Sequence, residues 1–359
     1  MGDPTSGQSR FAETLGRGLR AEGAEVEIAS VWSLPAFNDS CKASGLGHSS
    51  LHEGRPSTRR HSWDALLSPR EAPALADLLG RRTDLDWIVV LSDELVTLGR
   101  AVPTSGPRTA YICNGDFATL LFNRSFYATG GTSKSVASLW TSRAIMDHAR
   151  AVETYDLLLA NSRFTQNFMS HLYGVPFSGI CHPPVDLVRF QPSASPPTNS
   201  YALALGRGPR EQGIDVLTEV ARIGRLKVVG GAEIRGAESA GVVSDDRLAQ
   251  LYAEAAFVVF PVVSEFFGYA VAESLACGTP VLCYGLCGPG ELVTNGVDGW
   301  TVNSRSEFLR VAAEVMARGY PASYRAAARG AASRFSAAEL ARSLIKSLRQ
   351  ASGETPREA

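Results

Sequence analysis

Residues 258–302 read VVFPVVSEFFGYAVAESLACGTPVLCYGLCGPGELVTNGVDGWTV. The pattern is strand, loop, helix, strand, loop, short helix, strand. AAFVVFP is an apolar run of strand length, stopped by Pro261. The loop Val262–Phe267 carries one acid, Glu265, and Gly268 opens a helix whose Ala270, Ala272 and Ala276 let it lie close on a sheet. Cys277-Gly278 ends that helix as a glycine C-cap, and Thr279-Pro-Val-Leu-Cys starts the next strand.

Two residues in this stretch are hard to explain as packing. Glu273 stands in an otherwise apolar helix, where an unpaired buried carboxylate is costly. Glu265 precedes the same helix, whose free N–H groups favour an anion. An inward carboxylate beside an anion site suits a ligand with vicinal hydroxyls and a phosphate, such as a nucleotide sugar. For two isolated acids, solvated or salt-bridged side chains are the simpler account.

The spacing changes that balance. Glu265 and Glu273 form Glu-x7-Glu inside SEFFGYAVAESLACGTPVL, followed by GPGELVTNGVDGWTV. This closely resembles the donor-binding signature of the retaining GT-B glycosyltransferases of family 4. In that family the second glutamate holds the donor ribose and the first contacts the sugar or supports its phosphate. The resemblance gives these roles to Glu273 and Glu265, with Phe266, Phe267 and Gly268 completing the donor-side loop. The implied fold is two doubly wound, Rossmann-like α/β domains facing across a cleft.

Composition agrees with that size and class. The chain has 359 residues, 45% hydrophobic and 20% charged, enough for two medium domains. A formal net charge of −1 gives no general pull toward nucleic acid. No apolar run has membrane-span length and MGDPTSGQS is not a signal peptide, so a cytoplasmic protein is expected, with peripheral membrane contact left open. Six cysteines at 41, 113, 181, 277, 283 and 287 complete no zinc pattern, and buried free thiols are the reading for all of them, Cys181-His182 included.

Ahead of the signature, Phe11, Leu15 and Leu19 mark a helix over 9–22, followed by a strand at 24–30. By resemblance, Gly7 belongs to an acceptor-side glycine loop. Residues 35–62 read as a long surface loop with solvated His48, His52 and His61. The arginine pairs 59–60 and 81–82 read as solvated surface. A helix is expected over 70–81 and a buried strand in DWIVVLSD. The Asp-x-Asp at 84–86 precedes that strand, which sets aside the metal-binding motif of the other main glycosyltransferase fold.

The strand RTAYICN ends in Asn114-Gly115-Asp116, where many family members supply a histidine near the transferred sugar. Here Asn114 or Asp116 takes that place. A strand at YDLLLANS and its helix lead to SGICHPPVDLVRF, and QPSASPPTNS (191–200) is the linker. In the second domain YALALG runs into Gly206-Arg207-Gly208. The family clamps the donor diphosphate with an arginine and a lysine. Arg207 fits the first, Gln212 occupies the lysine position, and Arg210 is the substitute cation. The implied domains are 1–192, 200–334 and a terminal helix over 335–351 that crosses back to the first.

The reaction implied is transfer from a UDP-, GDP- or ADP-linked sugar to a glycan, lipid-linked or small-molecule hydroxyl, without metal or other cofactor. A non-catalytic GT-B relative that binds a nucleotide or a protein partner is the alternative, favoured by Gln212 and the absent histidine. An epimerase or phosphorylase shares the fold, but no pyridoxal lysine is identifiable; a nicotinamide oxidoreductase lacks the G-x-G-x-x-G after a first strand.

One departure concerns the start. Family chains open with an apolar strand before the glycine loop, whereas DPTSGQS is already at 3–9. In a doubly wound sheet that strand lies between those read at 24–30 and 87–91. Either the natural chain begins upstream of Met1 or the sheet closes around the gap in altered order. The first is the expectation.

Overall fold

The computed structural model describes residues 7–53, 71–80, 82–92, 95–115, 146–193, 201–206 and 213–353. They form two compact units: Met1–Pro184 with Ala337–Ala359, and Val185–Ser336.

In the first unit, helix α1 (Gly7–Ala21) leads to strand β1 (Glu27–Ser33), helix α2 (Pro35–Ala43) and strand β2 (Gly47–Glu53). Then come α3 (Glu71–Gly80), β3 (Trp87–Val90), α4 (Leu98–Ala101), β4 (Arg108–Cys113), β5 (Leu157–Ala160), α5 (Arg163–Tyr173) and β6 (Gly179–Ile180). Ser162 caps α5 by accepting from Thr165 N, and Gly174 ends it in the left-handed region.

All strand pairs are parallel, in two sheets: β1-β2 and β3-β4-β5-β6. β1 and β3, between which the family's first strand was expected, belong to different sheets. Among the described residues no strand stands between them, and Leu91 packs against the apolar clusters of both.

The expected loop over 35–62 is instead α2 and β2 as far as residue 53. Pro35 occupies the first turn of α2, and Phe37 and Cys41, one turn apart, are fully buried. GHSSLHE has no apolar alternation, and β2 exists because its backbone pairs with β1, His48 beside Ile28. His48 is therefore not a solvated loop residue. Its Nε2 lies 3.0 Å from Ser30 Oγ and its ring meets Phe37 edge-on. Arg82 donates to Asp84 and Glu27. His61 and the arginines at 59, 60 and 81 lie outside the described residues.

The second unit holds β7 (Ala202–Leu205), α6 (Ile214–Ile223), β8 (Leu226–Val229), β9 (Glu238–Gly241), α7 (Asp245–Glu254) and β10 (Phe257–Phe260). It continues with α8 (Tyr269–Ala276), β11 (Val281–Tyr284), α9 (Gly288–Leu292), β12 (Gly299–Val302), α10 (Arg305–Arg318) and α11 (Ser323–Ala332). The sheet is six-stranded and parallel, in the order β12-β11-β10-β7-β8-β9. β10 is apolar throughout because both faces are covered. Its alternation sends Phe257 and Val259 into one core layer, and Val258 and Phe260 into the other.

The boundary between units falls after Pro184, earlier than the expected 192. Val185 N donates to Phe335 O, and Arg329 donates to Leu187 O and Phe190 O, which ties residues 185–190 to the second unit. The last helix, α12 (Ala337–Ala351), belongs to the first unit, where Leu340 and Leu344 join the cluster of Phe11 and Leu15 from α1. Among the described residues no helix is long and apolar enough to cross a membrane.

Candidate functional site

The signature builds the carboxyl end of the second unit's sheet, where open α/β folds place ligands. β10 ends at Pro261, and the loop after it reaches Gly268 at φ 96°, a left-handed conformation that favours glycine. A Cβ on Gly268 would also lie 2.9 Å from Pro289 Cγ. From this turn α8 runs inward, with Val271 to Ala276 all buried.

Glu273 is only 4% exposed. The hydroxyl of Tyr252, on α7, donates to its Oε2 at 3.3 Å. Thr279 holds the two helices in register: its Oγ1 donates to Tyr252 O at 2.7 Å, and its carbonyl accepts from Ser274 Oγ at 2.8 Å. That is a physical reason for a threonine in the Thr-Pro-Val segment. Tyr252 was not singled out in the sequence, where AGVVSDDRLAQLYAEA reads as a loop and helix resembling the family's segment beside the nucleotide base.

Glu265 is half-buried in the loop. Gly288 N donates to its carbonyl at 3.1 Å, and a Cβ on Gly288 would fall 2.1 Å from Phe266 O, so only glycine lets α9 meet this loop. Cys287 stands beside it; burial first, and the Glu265 charge after it, push its thiol up to about 11. All six cysteines are free and buried. The Phe266 and Phe267 side chains are buried too, Phe267 edge-on to Tyr269 and Phe335.

Gly206 ends β7 at the middle of the sheet. It accepts from Ala232 N, and a Cβ there would collide with Ala232 Cβ. Gly213, at the start of α6, packs on Pro261. The chain between these glycines, with Arg207, Arg210 and Gln212, lies outside the described residues.

In the first unit Asn114 closes β4 and donates from its amide to Leu91 O. Asp116 lies outside the described residues, and Gly7 is the first residue of helix α1 rather than part of a loop ahead of it. Among the described residues no three His, Cys, Asp or Glu side chains gather as they do around a metal ion.

Three arginines in and after α11 hold this scaffold by its helix ends, where carbonyls lack intrahelical partners. Arg325 donates to Ala253 O and Ala255 O at the end of α7, Arg329 to Ala276 O at the end of α8, and Arg334 to Leu292 O at the end of α9.

Residues 5–189 match the family model described as glycosyltransferase family 4, more than half of the chain, and residues 200–318 match that of glycosyl transferases group 1. The chain belongs to glycosyltransferase family 4. Its fold is GT-B, built from two Rossmann-like units.

Among curated family members, it is similar to the D-inositol 3-phosphate glycosyltransferase of Nocardiopsis dassonvillei, 30% identical over an alignment of 196 residues, with 43% of this chain and 46% of that one covered. It is 28% identical over 254 residues to the enzyme of the same name from Xylanimonas cellulosilytica, 59% of this chain and 61% of that one. The match thus spans about half the length of these curated relatives.

Solved structures share the fold over almost the whole chain. HepE of Anabaena in complex with UDP superposes with a TM-score of 0.71 at 16% identity, covering 98% of each chain. Sucrose-phosphate synthase of Thermosynechococcus elongatus gives 0.71 at 16% identity, covering 94% of this chain and 92% of its own.

Proposed function

We propose that this chain transfers a glycosyl group from a nucleotide sugar to a hydroxyl acceptor, with retention of configuration at the anomeric carbon. The observation that carries the reading is Glu273, a carboxylate 4% exposed inside α8 and held by the Tyr252 hydroxyl. A carboxylate with fixed oxygens matches two vicinal ribose hydroxyls in a way that solvent or a surface cation does not.

The rest of the site follows from charge. Glu265, at the mouth of α8, contacts the transferred sugar. Arg207, with Arg210 near it, and the first N–H groups of α8 take the charge that develops on the leaving diphosphate, so no metal is needed. By family resemblance, contact with the sugar falls to Asn114 or Asp116 and contact with the acceptor to Gly7. Action in the cytoplasm, at a membrane surface when the acceptor is lipid-linked, fits this chemistry.

HepE was solved with UDP and with UDP-glucose, and the curated relatives are named for D-inositol 3-phosphate, which makes these the first donor and acceptor to assay. Calorimetry with UDP tests the nucleotide site. Transfer of labelled sugar from UDP-, GDP- and ADP-linked donors tests the reaction. Tight UDP binding with no transfer from any donor would instead make the chain a nucleotide-binding relative without transferase activity, the reading that Gln212 in place of a lysine favours.

A further inference from the structure

A relay of hydrogen bonds reaches Glu273 from α11. Arg325 is half-buried on that helix, and its Nη2 donates to Ala253 O at 2.7 Å and to Thr279 Oγ1 at 3.0 Å. Its Nη1 donates to Ala255 O at 2.9 Å and to Tyr320 Oη at 3.0 Å. One guanidinium thus joins the end of α7 to the turn between α8 and β11.

Thr279 is fully buried and passes the constraint on. A hydroxyl has one hydrogen, and a guanidinium can only donate. Thr279 Oγ1 therefore accepts from Arg325 and turns its hydrogen to Tyr252 O, 2.7 Å away. Two reciprocal bonds tie the same residue to α8. Thr279 N donates to Ser274 O at 2.9 Å, and Ser274 Oγ donates to Thr279 O at 2.8 Å. Thr279 is thus bonded to Tyr252, whose hydroxyl donates to Glu273, and to Ser274, which follows Glu273 in the chain.

We propose that Arg325 is a positioning residue for the nucleotide-sugar donor, fixing the Glu273 carboxylate through Thr279 and Tyr252. The proposal rests on the ribose contact given to Glu273 under the function proposed above. The acceptors Ala253 O, Ala255 O and Thr279 Oγ1 come from two segments, and a planar fork with separate N–H groups reaches all three at once. A carboxylate that must meet two ribose hydroxyls together gains from a fixed position, because a loose one satisfies only one of them at a time.

The test uses the full chain labelled with 13C at the tyrosine Cζ, with Tyr252→Phe identifying the Tyr252 signal among the ten tyrosines. Glu273→Gln gives the position of that signal when the phenol has lost its carboxylate. Without ligand, Arg325→Met and Thr279→Val are expected to move the Tyr252 signal toward this position, and Thr279→Ser, which keeps the hydroxyl, to leave it unmoved. UDP binding should weaken about fivefold in Arg325→Met and in Thr279→Val. In a Glu273→Ala background neither substitution should weaken it much further. Thr279→Val keeps Arg325 and its bonds to the end of α7, so it reads the link even if Arg325→Met fails to fold. A Tyr252 signal at its wild-type position in Thr279→Val overturns the proposal, as does a loss of UDP affinity that persists in full when Glu273 is replaced. Wild-type UDP affinity in Glu273→Ala would strike the ribose contact instead, while the Tyr252 signal is read without any ligand.

Discussion

The hydroxyl of Tyr252 and the carboxylate of Glu273 meet in the interior of the second unit, the phenol donating to Oε2 at 3.3 Å. They come from different helices, and Thr279 bonds to the chain at both. A buried acid of the signature is thus held by a residue outside the signature.

Removing that hydroxyl isolates its contribution. Tyr252→Phe should weaken UDP binding by about threefold to tenfold, the range of one side-chain hydrogen bond. In a Glu273→Ala background it should change affinity little further, because the phenol acts through the carboxylate. Calorimetry on the four proteins of the cycle measures this, and additive losses would separate the two residues.

Glu265 should behave differently from Glu273. Its backbone carbonyl is held by Gly288 N, a bond that Glu265→Gln keeps while removing the carboxylate charge that the proposed function sets on the sugar. Transfer turnover should fall far more than UDP affinity does. Steady-state rates set beside UDP titrations give the comparison; wild-type turnover in this variant would remove Glu265 from the reaction.

Arg329 ties the end of α8 to the segment entering the second unit through Ala276 O, Phe190 O and Leu187 O. Arg329→Met keeps much of the side-chain volume and strands those carbonyls. The second unit should lose about 1–3 kcal/mol of stability, the scale for bonds from a charged donor to groups that then lack a partner. Urea unfolding followed by Trp300 fluorescence measures it, and an unchanged midpoint would show that water replaces the guanidinium at no cost.

His48 supplies a pH dependence in the first unit. Burial lowers its pKa, and the Glu27 charge opposes that shift only in part. Its neighbours are Ser30 Oγ and the Phe37 ring. A lowered folded-state pKa means that the unfolded chain takes up the proton first, so stability is complete above the ordinary imidazole pKa of about 6.5 and is lost as pH falls below it. His48→Asn should flatten the fall in melting temperature between about pH 7 and pH 5. The same slope in both proteins would assign the acid sensitivity elsewhere.

The sequence by itself determined the fold class and pointed to the residues proposed for the donor side. Continuous apolar strands such as FVVF and ALAL can be stable only when covered on both faces, and helix patterns alternate with them. Glu265, Gly268 and Glu273 were legible because a carboxylate in an apolar helix and a glycine at a strand-to-helix turn both need a special explanation. Only the tertiary structure decided the partners. β2 has a single large apolar residue, Leu51, and becomes a strand by pairing with β1. Tyr252 looks like any core aromatic until α7 brings it against Glu273. The side-chain bonds of Asn114, Asn161 and His182 join strand ends far apart in the chain, in an order set by the sheet. Periodicity records which face of an element is buried, whereas a hydrogen bond between elements depends on register and strand order, which no local pattern encodes.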